Sequence, residues 1–161
     1  MKTRILINVM IFTMVLINLG YAASSDTMII KTKKGDVKAN NITINPDREG
    51  KDYVDFQVTE DYAMSFHIKD QFFNIGIFNI DIQSSRDKAE KAFLKALGID
   101  KKKACLLNLN LGVPFSSNNA ASGLNHGLSF CPGGIPFSSD ALAEAKTKIA
   151  EKQLRLNPEN K

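Results

Sequence analysis

The sequence predicts an α+β fold: a mainly antiparallel sheet with one packed helix, one disulfide and a C-terminal amphipathic helix. Three observations carry this. Val54, Phe56 and Val58, and then Tyr62, Met64, Phe66 and Ile68, alternate with polar residues, as two antiparallel strands with one buried face each require. Ala89, Phe93, Ala96 and Leu97 recur at helical spacing. The chain has two cysteines, Cys105 and Cys131, enough for one bridge.

The first segment reads as an address. Lys2 and Arg4 form a charged start, Ile5 to Leu19 an apolar stretch, and Gly20-Tyr21-Ala22 a small-x-small exit, together a secretory signal peptide over residues 1–22. An uncleaved anchor is the alternative, but the stretch is about 15 residues where a span needs roughly 20, and Asn8, Thr13 and Asn18 interrupt it. No stable membrane span is expected after cleavage, and the protein is expected to be exported, periplasmic or secreted. Removing 22 of 161 residues leaves one α+β domain over 23–139 and a C-terminal helix and tail over 140–161. The formal charge of +4 drops to +2 without Lys2 and Arg4, so no electrostatic case for nucleic acid remains. The basic runs Lys31-Lys34 and Lys101-Lys103 read as solvated faces, with a polyanion or anionic lipid surface as the alternative partner.

Along the exported part, Thr27 to Lys31 reads as a short strand, Lys34-Gly35-Asp36 as the turn after it, and Ile42-Thr43-Ile44 as a continuation of the sheet. Asn41-Ile42-Thr43 is a glycosylation sequon, with meaning only in a eukaryotic secretory pathway. Glu60-Asp61 supplies the turn between the two alternating strands. In the next strand the apolar set moves from Phe73, Ile75 and Ile77 to Phe78, Ile80 and Ile82, which predicts a β-bulge near Gly76 to Phe78 or burial on both faces.

A helix is predicted over Ser85 to Leu97, with Ser84 or Ser85 accepting its free amides and Gly98-Ile99 forming a Schellman cap on Leu94. Asp100 starts a short turn carrying Lys101-Lys103. Leu107, Leu109, Leu111 and Val113 then alternate as a strand in line with Cys105. Gly112-Val113-Pro114-Phe115-Ser116-Ser117 returns as Gly134-Ile135-Pro136-Phe137-Ser138-Ser139. Both copies read as a strand exit, a proline stop, a buried aromatic anchor and a polar turn. The second caps a helix from Asp140 to Leu156 with Leu142, Ala145, Ile149 and Leu156 on one side.

Export puts the cysteines where bridges persist, so a structural Cys105–Cys131 disulfide is expected, ahead of a redox pair or half a metal site. Three segments, Ala89 to Ile99, Ala104-Cys105-Leu106-Leu107-Asn108, and Gly127-Leu128-Ser129-Phe130-Cys131-Pro132, resemble uncharacterised exported bacterial proteins. The resemblance implies export and the cysteine pair, and no activity.

Chemical motifs are weak. Gly127-Leu128-Ser129-Phe130-Cys131 is one residue short of a nucleophile elbow, and the Pro132-Gly133-Gly134 that follows does not open a helix. His126 is the nominal base for Ser129 but reads better as a turn-exposed histidine. Asn45, Asp47, Glu49, Gly50 and Asp52 imitate the first half of a calcium loop, but Phe56 stands where the closing glutamate belongs. The carboxylate pairs Asp52 with Asp55 and Glu60 with Asp61 need no more than solvent. No catalytic residue, metal site or cofactor is nominated. The leading expectation is a non-enzymatic binding protein that meets a protein or surface polymer through the disulfide-tied loop, with Phe115, Asn118, Asn119, His126 and Phe137 as candidate binding residues. The alternatives are an accessory subunit of an envelope assembly, docking through the Leu142 to Leu156 face or a sheet edge, and a small hydrolase centred on Ser129 and His126.

Overall fold

Two strand systems flank one long helix in the computed structural model, which describes residues 26–44 and 51–156. The predicted signal segment, residues Asn45, Asp47, Glu49 and Gly50 of the calcium-like series, and the tail beyond Leu156 lie outside these residues. Among the described residues no helix is long and apolar enough to cross a membrane.

Strands β1 (Thr27–Ile30) and β2 (Val37–Asn40) pair as an antiparallel hairpin. The expected extension through Ile42-Thr43-Ile44 is not a strand. Asn41 closes an Asx turn there, its Oδ1 accepting from the Thr43 amide and hydroxyl, and the partner strand is Val37–Asn40, with Val37 and Ala39 buried.

The main sheet has the order β3-β4-β5-β6, with β3 at Tyr53–Val58, β4 at Tyr62–His67, β5 at Phe72–Ile77 and β6 at Asn108–Gly112. The first three strands form an antiparallel meander and β6 adds to β5 in parallel. The fold is thus α+β, antiparallel except at one edge. A parallel neighbour requires a crossover, and α1 (Ile82–Leu97) supplies most of it. This helix lies on the sheet face formed by Met64, Phe66, Phe73, Ile75 and Leu111, with Phe93 meeting Phe73 edge-on at 5.2 Å.

The bulge is in a different strand from the one predicted. β5 keeps unbroken register with β4 up to Tyr62 opposite Ile77, and the shift of apolar positions after Ile77 marks the end of the strand, not a slip within it. The one-residue shift falls in β3, between Asp55 and Gln57. There Phe56 reaches Phe73 and Phe93 at ring distances of 6.1 and 6.5 Å. Because side chains alternate with period 2, one extra residue sends Val58 to the outer face, where it is 67% exposed, instead of into the core.

Helix α1 starts three residues earlier than predicted. Asp81, not Ser84 or Ser85, is the N-cap: its carboxylate accepts from the Ser84 amide at 3.2 Å, while Ser85 is buried within the first turn. The C-terminus is the expected Schellman cap, with Gly98 left-handed at φ 63°, its amide on the Lys95 carbonyl and the Ile99 amide on the Leu94 carbonyl. Asn40 of β2 donates to the Ala96 carbonyl at 3.1 Å and fills the space a Cβ at position 98 would need. Asp100 then caps the short helix α2 (Lys101–Ala104).

From β6 the chain runs through a long loop to α3 (Ser139–Leu156), whose Ala141 and Ala145 join the common core beside α1. Leu154 and Leu156 are exposed, so only the first half of the expected apolar face is covered. The free edge of β6 is closed by the loop: Asn125 Oδ1 accepts from the Leu111 amide, its Nδ2 donates to the Leu109 carbonyl, and the His126 amide donates to the Leu111 carbonyl. Cys105 and Cys131 are bridged, Cα to Cα 5.4 Å, joining the end of α2 to this loop. For a closed loop of this length the chain-entropy relation gives about 3.5 kcal/mol. Urea unfolding followed by far-UV circular dichroism should show a loss of that order in the Cys105→Ser/Cys131→Ser protein, and an unchanged midpoint would mean that the bridge does not constrain the unfolded chain.

Candidate functional site

The disulfide-tied loop is organised by a buried ion pair from α1. Arg86 and Glu90 stand one turn apart, and Arg86 is 1% exposed. Its Nε donates to Glu90 Oε1 at 3.0 Å, Nη1 to the Ile135 carbonyl at 2.9 Å, and Nη2 to the carbonyls of His126 and Gly127 at 3.1 and 2.8 Å. The guanidinium carbon lies 5.2 Å from the centre of the Phe137 ring. Glu90 holds the other side of the loop, accepting from the Ser129 amide at 2.6 Å and from its hydroxyl at 2.5 Å. The sequence carried a sign of this pair: Arg86 and Glu90 each precede an apolar core residue, Phe93 and Leu97, by seven positions, in phase with the buried stripe of α1.

The nominated binding residues do not converge on one surface. His126 is buried, not turn-exposed; its Nε2 and Nδ1 lie 2.9 and 3.3 Å from the carbonyl oxygens of Ala121 and Ile135, and its ring meets Phe137 at 4.6 Å. Asn118 is buried and shapes its own turn, donating to the Ala141 carbonyl and accepting from the Ala121 amide. Asn119 is exposed, and its amide donates to Glu144 of α3. Phe115, expected as a buried anchor, is 70% exposed, whereas its counterpart Phe137 is buried. The two copies of the repeat differ because only the second abuts Arg86 and His126. Ser129 and His126 do not pair: the hydroxyl of Ser129 is held by Glu90, and both His126 ring nitrogens face backbone carbonyls.

What the fold does bring together is the two basic runs. A cleft of about 510 Å³ is lined by Lys31, Lys33 and Lys34 of the β1–β2 turn together with Gln71, Leu106 and Asn108. A second, of about 380 Å³, is lined by Lys34, Lys101 and Lys102 with Cys105, Leu106 and Phe130. Lys34 and Leu106 border both, so the clefts adjoin. A third hollow of about 230 Å³ shares Lys101 and Phe130 and reaches Glu90 and Ser129. Local bonding places the lysines. The Thr32 hydroxyl donates to the Gly35 carbonyl and accepts from the Lys34 amide, the Lys31 amide donates to Gln71 Oε1, and the Lys101 ammonium lies 5.1 Å above the Phe130 ring. Gln71 adopts a left-handed φ of 50°, uncommon for a residue with a Cβ, and its Nε2 donates to the Ile68 carbonyl at 2.7 Å. Asp70 lines the first cleft and Asp36 pairs with Lys31. Among the described residues, no three His, Cys, Asp or Glu side chains gather as metal ligands.

Two carboxylates are perturbed away from the clefts. The Lys88 ammonium, and after it Asn79, hold Asp61 below its ordinary range, and Lys88 is raised in return, so Asp61 is a bonded junction and not a solvated turn residue. Glu144 is lowered to about 2 by Lys148 first and by the amides of Asn119 and Ala120 next.

Two tests follow from this bonding. Arg86→Ala removes the counter-charge of Glu90 and one donor from each of three loop carbonyls; it should cost about 3–5 kcal/mol in chemical denaturation, and a loss under 1 kcal/mol would show that the loop is held by other contacts. Because the folded-state pKa of Glu144 lies below its ordinary 4.5, its contribution is present above about pH 4.5 and is lost as pH falls towards 2. Melting temperature between pH 5 and 2 should therefore fall less steeply in Glu144→Gln than in the parent; parallel curves would exclude the loop-to-helix bond.

Comparison with protein-family models, with curated proteins and with solved structures finds no match for this chain in any of the three.

Proposed function

We propose that this protein is an exported, non-enzymatic binding protein whose ligand surface is the lysine-lined cleft between the β1–β2 turn, α2 and the disulfide, and whose ligand carries negative charge. The observation that carries the reading is that Lys34 borders both adjoining clefts, so runs separated by some 67 positions in sequence face one space. Several ammonium groups over an apolar floor of Leu106 and Phe130 concentrate positive potential, and charge-assisted bonds to an anion are stronger there than on a flat wet surface. The surroundings are pre-formed: the Arg86–Glu90 pair and the Cys105–Cys131 bridge fix the loop under the cleft, which lowers the ordering cost of binding. Export, to the periplasm or the exterior, is supported by the charged, apolar and small-residue order of residues 2–22 and by a disulfide of the kind that persists outside the cytoplasm.

A second reading, an accessory subunit docking through α3, is favoured by the exposure of Leu154 and Leu156. The first is tested by titrating the protein with polyphosphate, poly-glutamate, oligogalacturonate and anionic vesicles. At least one should bind with salt-dependent affinity, and Lys34→Gln/Lys101→Gln/Lys102→Gln should weaken it at least about tenfold and flatten its salt dependence. Binding that survives the triple substitution would move the site elsewhere.

A further inference from the structure

The geometry points to an acidic glycan, sugar rings bearing carboxylate, sulfate or phosphate groups, as the ligand, bound across the open sheet face with its charged group in the lysine cleft. This rests on the reading of the cleft just given and extends it to a surface that the cleft adjoins. α1 covers one face of the main sheet, and strand register arranges the other in three rows across all four strands.

The first row is Tyr53, His67, Phe72 and Asn108. Its rings stand next to each other, centroids 5.9 Å apart for Tyr53 and His67 and 6.0 Å for His67 and Phe72, and Tyr53 is 41% exposed. The second row is Asp55, Ser65, Asn74 and Asn110, where Asn110 donates to Asn74 at 2.9 Å. The third is Val58, Ala63, Gly76 and Gly112, with the half-exposed Phe78 ring folded over Gly76.

Sugars have two requirements that these rows meet side by side. The C–H face of a pyranose packs on aromatic rings, which give large, rigid, amphipathic contact. The hydroxyls at its edge need both donors and acceptors, and a carboxamide offers both. The aromatic row leads into the cleft through its own last member, because Asn108 lines the cleft with Lys31, Lys33 and Lys34. Charge also sets the polarity of the site: Asp55 lies on β3, whereas the lysines line the cleft at the end of the sheet where β5 and β6 begin, so an anionic group is drawn to that end. A phosphate chain or a headgroup without rings would use the lysines and leave the rows untouched.

The test compares three probes on the folded, disulfide-bonded protein: oligogalacturonate, a neutral dextran oligomer, and polyphosphate. Oligogalacturonate affinity should fall at least about tenfold both in Tyr53→Ala/Phe72→Ala and in Lys34→Gln/Lys101→Gln/Lys102→Gln, dextran should bind far more weakly, and polyphosphate should respond to the lysine substitutions alone. If the aromatic variant fails to fold, saturation transfer on the parent protein replaces it, with irradiated aromatic protons expected to label the sugar C–H protons. Undiminished affinity in the aromatic variant, absence of saturation transfer, or binding confined to polyphosphate would overturn the glycan while leaving the cleft in place. Binding of every probe undisturbed by the lysine substitutions would overturn both.

Discussion

Arg86 is a charge that water cannot reach, and much of the loop geometry follows from how that charge is satisfied. Four hydrogen bonds from its N–H groups go to Glu90 and to three backbone carbonyls of one loop, a segment without regular secondary structure. The loop in turn positions His126 against Phe137, closes the free edge of β6, and carries Cys131 to Cys105. An apolar residue at position 86 would offer the carbonyls of His126, Gly127 and Ile135 no donor from α1. The disulfide and the ion pair act on the same segment in different ways, one by limiting the unfolded chain and the other by fixing the folded one.

The two faces of the main sheet divide the labour of the molecule. Phe66, Phe73, Ile75 and Leu111 bind α1 to one side and supply the core. On the other side the same strands place rings, amides and small residues in rows, next to a cleft whose walls come from the β1–β2 turn and α2. The hairpin is tied to that arrangement by Gln71, which bonds Lys31 of the β1–β2 turn and Ile68 of the β4–β5 turn from a strained backbone conformation.

Local signals were legible where local physics decides. The alternation in β4, the Schellman cap at Gly98 and Ile99, the turn at Asp100 and the second copy of the repeat as a helix cap all stand as the sequence implies. The N-cap at Asp81 was missed because Ser84 and Ser85 offer equally good cap chemistry, and burial of Ile82 decides between them. The bulge in β3 was hidden because Val54, Phe56 and Val58 keep an ideal alternation; only the packing of Phe56 against Phe73 and Phe93 displaces it. The candidate site was least legible. Asn118, His126 and Phe137 carry recognition-like chemistry but are used to build the loop, while the lysine runs become one feature only when the fold sets Lys34 beside Lys101 and Lys102.

A parallel strand at a sheet edge normally exposes a ladder of unpaired amides and carbonyls that another chain can extend. Here the carboxamide of Asn125 imitates a neighbouring strand, bonding Leu109 and Leu111 before any second molecule arrives. Strand addition at β6 would first have to peel away a segment fastened through the next residue, His126, to Arg86. The same anchorage that shapes the loop therefore raises a kinetic barrier to fibrous self-association on that side, a protection that requires neither surface charge nor proline on the edge strand itself.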